Sequence, residues 1–531
     1  MQNIMKYKQE EYHTLAEYYL DMACKNLPVV NQAISKYGDV SLSDYLQNFI
    51  HKPKPSYQQQ DDFLEAVHRY AAPLLGESVA QQTVRDLAAN PVVLTSNHLG
   101  VEYFAQSLQS SLLFSLNRMI GNSSGTTVPV FSCGNVPLDN LTYPQGLLLY
   151  NINHTGLEVM PRKLPVFPNR LRRWLVSVAQ AFDQDMIIRV QARLGKMVCD
   201  KQISHTLADP IHQIFQEDYC SDSVMALRSY SQQSAVLNGR IWKRLFPEVS
   251  TVPDMVCLEL EKITAMLLEY DLSNPKSLAW CAMFDPVLRG HILEGLEGVR
   301  GCWNLKKLAL GTDPMDKEQR KSHKNCGTVF FWGIDDSGRR IPFYLETDDL
   351  NNEVLRGVDA RGKTWKLPYT PQTIIHGLND KRLVPSLFTC FLTLSFARGI
   401  VCVGGYFQGV YLPMMQEVVV TALQKTNYHD DIADFVTQVP TDCYLSGMLA
   451  VMAETDDGCL IPAGPAEIIA GGGITRDDIE KMLSLTVREA HIAGLFETVS
   501  DIVPKELRVP GRKKELASDC QQLLEGKMVL K

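Results

Sequence analysis

Four short, largely apolar runs follow one another between residues 91 and 168, and they constrain the fold more than any other feature of the sequence. They are PVVLTSNHLG, TTVPVFSCGNVP, GLLLYNINHTG and KLPVFP. The helical pattern YFAQSLQSSLLFSL separates the first two runs. Strands that alternate with helices form a sheet on which those helices pack, so the sequence predicts a central α/β layer.

The rest of the chain divides into segments of different pattern. Apolar residues at helical spacing predict helices in residues 1–90 and 201–325, on either side of an α/β region at 91–200. Turn residues at Asp336–Gly338 and Asp359–Gly362 predict hairpins, so we expect an antiparallel β-meander at 326–371. Residues 372–531 have a mostly helical pattern. The fold class expected is α/β, or α+β overall, with helical flanking regions and the meander as an insert.

Three stretches give more detailed expectations. PDMVCLELEKITAMLLEY has apolar residues at helical spacing and predicts a helix. IVCVGGYFQGVYLPMM predicts a buried strand after a helix that ends at Gly399. IIAGGGITRDDIEKML predicts a strand, a glycine turn and a helix with Thr475 as its N-cap.

Composition excludes some functions. The 531-residue chain carries 52 basic and 60 acidic residues, a net charge of −8, which disfavours a general nucleic-acid binder. The N-terminus has no apolar signal-peptide core, and no apolar run suits a membrane span. The whole chain has 13 scattered cysteines without a Cys-x-x-Cys pair, which indicates that its thiols are reduced. We therefore expect a cytoplasmic protein without nucleic-acid or membrane partners; a homo-oligomer stays open.

A twin motif is the strongest indication of chemistry. Asn-His-x-Gly-x-Glu occurs at Asn97–Glu102 and again at Asn153–Glu158, and its two histidines, His98 and His154, are 56 positions apart. Each copy follows a predicted strand, and ligands of open α/β sheets bind at the carboxyl ends of strands. If the two strands are neighbours, both histidines and both glutamates converge on one cleft. In the alternative interpretation each motif is a structural turn.

The residue types of the motif suit two kinds of chemistry. Imidazole and carboxylate groups are ligands for Zn, Mn or Fe, so His98, Glu102, His154 and Glu158 predict a divalent metal site. The same groups also form a general base with a carboxylate that orients it. The glycine allows a tight turn or a close approach of backbone to ligand. Asn97 and Asn153, beside the histidines, are candidates for substrate binding.

The first copy resembles a motif of a known enzyme family. VVLTSNHLGVEYF is similar to the strand–Asn-His–helix segment of the phospholipid acyltransferases of the glycerophosphate type, in which a histidine followed by an acid five positions later deprotonates an alcohol. Here Glu102 lies four positions after His98, Tyr103 occupies the fifth, and no second motif of the family follows. The resemblance covers residues 92–104 and implies metal-independent acyl transfer with His98 as general base.

Further side chains are candidates for binding or catalysis. Arg170 lies in the basic stretch PRKLPVFPNRLRRW, and Arg398 stands alone in an apolar stretch. Arginine forks suit carboxylate or phosphate substrates, although an internal carboxylate is an alternative partner for Arg398. Cys133 follows a predicted strand beside Gly134, where it is either a nucleophile or a small buried side chain.

Three functions remain open at this point. The first is an enzyme that acts on a small anionic metabolite, a metal-assisted hydrolase or group transferase that uses the twin motif. The second is a metal-independent acyltransferase with His98 as base. The third is a non-catalytic binding or assembly protein. The position of the histidines relative to a cleft distinguishes the enzymes from the third function.

Overall fold

The computed structural model describes residues 12–47, 61–119, 125–151, 161–249, 251–310, 326–426, 430–455, 458–524 and 526–531. Within them the strands are β1 (Val92–Leu94), β2 (Thr127–Ser132), β3 (Gly146–Leu149), β4 (Arg162–Pro165), β5 (Asp254–Glu259), β6 (Phe331–Ile334), β7 (Arg340–Pro342), β8 (Tyr344–Thr347), β9 (Glu353–Val358), β10 (Thr364–Pro368), β11 (Leu383–Pro385), β12 (Val401–Gly405), β13 (Tyr444–Ser446), β14 (Val451–Glu454), β15 (Leu460–Pro462) and β16 (Val529–Leu530).

Helices make up most of the regular structure. In chain order, the α-helices of the described residues are α1 (Leu15–Asn26), α2 (Pro28–Tyr37), α3 (Leu42–Gln47), α4 (Asp61–Leu75), α5 (Glu77–Ala89), α6 (Ala105–Met119), α7 (Gln184–Cys199), α8 (His205–Ile214), α9 (Asp222–Met225), α10 (Tyr230–Arg244), α11 (Leu260–Leu272), α12 (Leu278–Phe284), α13 (Pro286–Gly295), α14 (Leu305–Leu310), α15 (Pro371–Asn379), α16 (Leu387–Phe391), α17 (Gln408–Lys425), α18 (Asp430–Gln438), α19 (Pro465–Ala470), α20 (Arg476–Ser484), α21 (Val487–Ile502) and α22 (Arg512–Leu523). Short 3₁₀ turns cover Asn169–Leu171, Val176–Val178 and Lys505–Leu507, and π-helical turns cover Phe215–Tyr219 and Leu392–Phe396. Nowhere in the described part of the chain is a helix both long and apolar enough to span a membrane.

A five-stranded parallel sheet forms the centre of the molecule. Its order is β5–β2–β1–β12–β13, and every neighbouring pair is parallel. Apolar and β-branched residues dominate these strands, as is usual where a sheet is covered on both faces. The expected α/β core is confirmed.

Two hydrophobic cores pack on the two faces of this sheet. Side chains of successive strand residues point to opposite faces, so Val92 and Leu94 of β1 join one core while Val93 between them joins the other. In β12, Val401 belongs to the first core and Cys402 to the second. The sheet therefore links the two cores.

The strand order creates a crevice at the carboxyl ends of the strands, between β1 and β12. The chain runs from β1 to β2 and β5 on one side, then returns to place β12 and β13 on the other side of β1. The loops that follow β1 and β12 therefore diverge. In open α/β sheets, ligands bind outside the carboxyl ends of the strands at this point.

The predicted meander is present as two small antiparallel sheets. Strands β6 and β7 form the hairpin expected around Asp336–Gly338, and β9 and β10 form the one around Asp359–Gly362. Sheet β8–β9–β10 contains the second hairpin, whereas the first joins β11 in the order β11–β6–β7. The insert is thus held to the following helical segment through β11.

Some local predictions were wrong. PDMVCLELEKITAMLLEY contains strand β5 before helix α11, because six residues of the strand run directly into the helix without a turn signal. The segment before Gly471–Gly473 is helix α19 instead of a strand, although Thr475 does cap helix α20. Strands β3 and β4 pair with each other outside the central sheet. The strand before the second motif is therefore not a neighbour of β1.

Candidate functional site

A cavity of about 880 Å³ opens where β1, β2 and β12 end, and we name it the strand-end cleft. His98 follows β1, Cys133 follows β2 and Tyr406 follows β12, and all three line it. The loop at residues 298–304 and the hairpin β6–β7 also line the cleft. The cleft thus occupies the crevice that the strand order creates.

Backbone pairing fixes the position of His98. The Cys133 N–H donates to the carbonyl of Asn97 at 2.9 Å, and the Leu99 N–H donates to the carbonyl of Cys133 at 2.8 Å. These two bonds pair His98 with Cys133 and so continue the parallel pairing of β1 and β2 beyond the strand ends. Gly100 then turns the chain at a φ of 142°, where an added Cβ would lie 2.7 Å from Cβ of Pro144. The glycine of the motif therefore turns the chain, which is one of the two roles that the sequence leaves open for it.

His98 is a neutral imidazole in this site. Its Nδ1 lies 3.3 Å from Oγ1 of Thr142. Burial lowers the pKa of His98 to about 4, while the Asn140 side chain opposes the change. At neutral pH the ring is therefore uncharged and has a nitrogen able to accept a proton.

The Glu102 side chain forms hydrogen bonds within the loop that follows β1. Its carboxylate accepts the Phe104 N–H at 3.1 Å and the Asn97 amide at 3.4 Å, and the same amide donates to Oγ of Ser111 at 3.1 Å. Burial raises the pKa of Glu102 to about 8. Residues 101–104 are not helical, because α6 begins at Ala105, so the spacing of four does not place Glu102 beside His98 on a helix face. Asn97 and Glu102 both stabilise the loop.

Cationic side chains that the sequence analysis did not single out line the cleft. Arg300 lies with its guanidinium 3.5 Å from the ring centre of Phe407, and Arg340 lies 4.5 Å from that of Trp332. Lys307 completes the set. Within the described ranges, no carboxylate forms an ion pair with any of the three. Two acids of the cleft act on the arginines at longer range, since Arg300 opposes the burial that raises the pKa of Asp501, and Glu261 opposes the burial that lowers the pKa of Arg340.

The acids of the cleft have other partners. Glu261 accepts the backbone N–H groups of Gly134 at 2.7 Å and Asn135 at 3.0 Å, together with the thiol of Cys133 at 3.1 Å. Asp501 accepts the Tyr406 hydroxyl at 3.0 Å. Among the described residues that line the cleft, three cations stand against these two acids, and burial raises the pKa of both acids.

Cys133 reaches the cleft as a thiol. Burial raises the pKa of Cys133 well above its usual range, and the neighbouring carboxylate of Glu261 adds to the increase. A nucleophilic cysteine needs the opposite shift, toward thiolate at neutral pH. The structure thus favours the interpretation of Cys133 as a packed side chain.

Asn135, which lines the cleft, has a buried polar atom without a partner. The residue is 7% exposed, and its Oδ1 has no hydrogen-bond partner among the described residues. Its backbone carbonyl accepts the Arg340 guanidinium at 3.2 Å. A buried polar atom without a partner costs about 1–3 kcal/mol, and because this one has no accessible surface, a ligand in the cleft reaches it only if the side chain moves.

The other predicted site residues have different positions. Arg170 lies exposed on the 3₁₀ turn Asn169–Leu171, outside the strand-end cleft. Arg398 is 1% exposed, and its guanidinium pairs with Asp62 at 2.6 Å and Asp271 at 2.9 Å. Arg398 therefore has the internal carboxylate partners that its apolar surroundings require, and we do not retain it in the site.

The second motif lies outside the described residues. Asn153, His154 and Glu158 fall in the range 152–160, so their convergence with His98 stays a prediction. In the part of the chain that the structure does describe, no three His, Cys, Asp or Glu side chains are grouped so as to hold a metal ion. The four-ligand metal site likewise stays a prediction.

Arg300, Lys307 and Arg340 were missed in the sequence analysis. They stand in a loop, in α14 and in β7, more than 200 positions after His98 in the chain. The aromatic residues that face two of them gave the one available indication, since Trp332 and Arg340 lie on adjoining strands of a predicted hairpin.

Comparison of the chain with family models, with curated proteins and with solved structures gives no match. The residues of the strand-end cleft are therefore the basis for a functional proposal.

Proposed function

We propose that the chain is an enzyme acting on a small anionic metabolite bound in the strand-end cleft, with His98 as general base. The charge of the cleft carries the proposal. Arg300, Lys307 and Arg340 line it without an ion pair to any carboxylate of the described residues. Guanidinium and ammonium groups in such a position bind carboxylates and phosphates.

The neutral imidazole of His98 supports the catalytic part of the proposal. It accepts the proton of a water or alcohol hydroxyl while the oxygen of that hydroxyl attacks the transferred group of the substrate. The bond between that group and the leaving group then breaks, and the imidazolium returns the proton to the leaving group. An imidazole with a pKa of about 4 is a weak base in the free protein. A bound anion raises the pKa of a neighbouring imidazole because it stabilises the protonated ring. His98 therefore becomes a stronger base when substrate is present.

Hydrogen bonding around Glu102 favours the metal-independent form of this chemistry. A metal ligand pair of His98 and Glu102 needs the two side chains together, whereas the Glu102 carboxyl group accepts hydrogen bonds from Phe104 and Asn97. The proposed reaction class is therefore base-assisted group transfer or hydrolysis. Acyl transfer, which the resemblance implies, belongs to this class.

Binding of citrate tests the anion site. Its three carboxylates match the three cations, and calorimetry measures its affinity for the wild type and for Arg340→Gln and Lys307→Met. We expect each variant to bind about tenfold more weakly, because each loses one charge-assisted contact. Arg170→Gln is the matched control, since it removes an exposed positive charge outside the cleft. Equal affinity in all four proteins would contradict the proposed site.

Turnover distinguishes an enzyme from a binding protein. A panel of acyl phosphates and acyl thioesters with an anionic group is incubated with the wild type and with His98→Gln. We expect turnover in the wild type and a loss of about 10²–10⁴-fold in the variant, the usual contribution of a general base. Citrate binding without turnover of any compound would favour the non-catalytic alternative.

A further inference from the structure

The strand-end cleft is larger than a simple anion requires. Its volume of about 880 Å³ falls among the pockets that take drug-sized organic ligands. Besides the three cations, half-buried apolar and aromatic side chains line it: Val299, Trp332, Leu387, Phe407 and Tyr411. The cleft therefore has room and apolar surface for an organic group attached to the anion.

Arg300 stands at the tip of a tight turn in the wall of the cleft. The Cys302 N–H donates to the carbonyl of Val299 at 3.0 Å, and Gly301, just before Cys302, has a φ of 85°. A glycine with positive φ at the third position is typical of a type II turn, so Arg300 occupies the second position. A further backbone hydrogen bond, 2.8 Å long, closes residues 298–303 into a loop. The backbone that carries the Arg300 side chain is therefore held in place.

The guanidinium of Arg300 lies on an aromatic ring. Its carbon is 3.5 Å from the ring centre of Phe407, which is van der Waals contact, and Phe407 lies against Tyr406 with ring centres 4.7 Å apart. Asp501, which accepts the Tyr406 hydroxyl, acts on Arg300 at longer range. Because Arg300 is exposed and lines the cleft, the face of the guanidinium that turns away from Phe407 is open to a ligand. Such a plane stacks with flat rings.

The other two cations are suited to the anionic group. Lys307 is an exposed, compact charge with three N–H donors. Arg340 lies 4.5 Å from the ring centre of Trp332 and donates to the carbonyl of Asn135 at 3.2 Å, which leaves further N–H groups for an anion. Since all three cations line one cavity, a single organic anion contacts both the charge-binding pair and the Arg300 plane.

We infer that the ligand of the strand-end cleft is an aromatic anion, a carboxylate or phosphate that carries a planar ring stacked on Arg300. The inference rests on the proposed function, because Lys307 and Arg340 hold the anionic group. A saturated ring of the same size covers the same apolar wall but has no π face for the guanidinium. Planarity, in addition to charge and size, therefore determines affinity.

Three phosphonates separate these contributions. Methylphosphonate carries the anion alone, cyclohexylphosphonate adds an apolar ring, and phenylphosphonate has a planar ring of similar size. Calorimetry measures the affinity of the full chain for each, at a pH above their second ionisation so that all three carry equal charge. We expect phenylphosphonate to bind about fivefold more tightly than cyclohexylphosphonate, the contribution of a cation–π contact.

A variant at Arg300 identifies the stacking plane. Arg300→Lys keeps the positive charge and removes the plane, so the preference for the phenyl compound should fall below about twofold while methylphosphonate affinity stays within about twofold of the wild type. Arg170→Lys is the matched control, an exposed arginine outside the cleft, and should keep the preference. Thermal unfolding verifies that both variants are folded.

The outcomes separate this inference from the proposed function. Equal affinity of the wild type for the phenyl and cyclohexyl compounds would overturn the inference and leave the anion site intact. An aromatic preference that persists unchanged in the folded Arg300→Lys would also overturn it. Binding of none of the three phosphonates would contradict the anion site and the inference together.

Discussion

Neighbouring backbone groups fix the position of His98, and the surroundings of its side chain set the pKa of the imidazole. The backbone groups of Asn97 and Leu99 hold it between two strand ends, and burial lowers the pKa of its imidazole to about 4. The sequence predicted the position at a strand end because the preceding run is apolar. It could not predict the protonation state, which depends on side chains such as Thr142 that tertiary folding brings to the ring.

The pKa of His98 predicts a loss of stability in acid. The folded-state pKa, about 4, lies below the ordinary value of about 6.5, so the unfolded chain binds a proton more readily. The stability is therefore complete above about pH 6.5 and falls as the pH decreases toward 4, by up to about 3 kcal/mol for this group. Urea unfolding of the wild type and His98→Gln across this range measures the effect. Parallel curves for the two proteins would contradict the prediction.

Arg398 is a second residue whose surroundings decide its role. In Arg398→Met, Asp62 and the buried Asp271 lose their shared partner. We expect the free energy of unfolding to fall by about 3–5 kcal/mol, the cost of leaving buried charge unpaired. Arg488→Met, which breaks an exposed ion pair with Asp39, should cost about 0–1 kcal/mol. Urea denaturation compares the two, and a similar small loss in both would show that the Arg398 pairs contribute little.

At the scale of elements, strand patterns were predictable where turns bound them. Strands β1, β2 and β12 are apolar runs that end at turn or glycine residues. Strand β5 was not predicted because its apolar residues run directly into those of helix α11. The spacing of apolar residues in the strand therefore cannot be told apart from that in the helix. The cations of the strand-end cleft were missed for a different reason. Their positions depend on long-range packing that no local pattern records.

The Gln109 side chain forms four of the hydrogen bonds that fix helix α6 to the C-terminal segment. Gln109, fully buried, donates to the carbonyls of Val451 and Ala463 and accepts the N–H groups of Ala450 and Val451. Because α6 follows the His98 loop, these bonds also hold the end of that loop in place.

Replacement of this side chain should be costly. We expect Gln109→Leu to reduce the free energy of unfolding by at least about 3 kcal/mol, because several buried backbone groups lose partners worth about 1–3 kcal/mol each. The same change at the exposed Gln81 should alter it by no more than about 0.5 kcal/mol. Chemical denaturation of both variants measures the difference. A loss below about 1 kcal/mol in Gln109→Leu would mean that water replaces the missing bonds.

At the scale of the whole molecule, one sheet unites segments with different sequence patterns. The predicted segment 91–200 supplies β1 and β2, segment 201–325 supplies β5, and segment 372–531 supplies β12 and β13. Both hydrophobic cores include residues from the first and last of these segments. Composition and periodicity describe each segment but do not reveal which strands pair.

This organisation predicts that a fragment ending at residue 325 does not fold. It retains β1 but lacks β12, whose Val401–Val403 pair with Val92–Leu94, and the exposed edge of β1 has no substitute partner. We expect circular dichroism of the fragment to show no cooperative unfolding transition, whereas the full chain shows one. A cooperative transition in the fragment would indicate that residues 1–325 form an independent domain.

The most direct test of the account is the pKa of the His98 imidazole with and without a bound anion. NMR of protein with isotope-labelled histidine gives this value, and the His98→Gln variant assigns the signal. The account predicts a pKa of about 4 in the free protein and a rise of about one unit or more with citrate, because an anion within a few ångströms stabilises the imidazolium. A saturating concentration of citrate that leaves the His98 pKa unchanged would contradict the claim that the anion site and the base share one cleft.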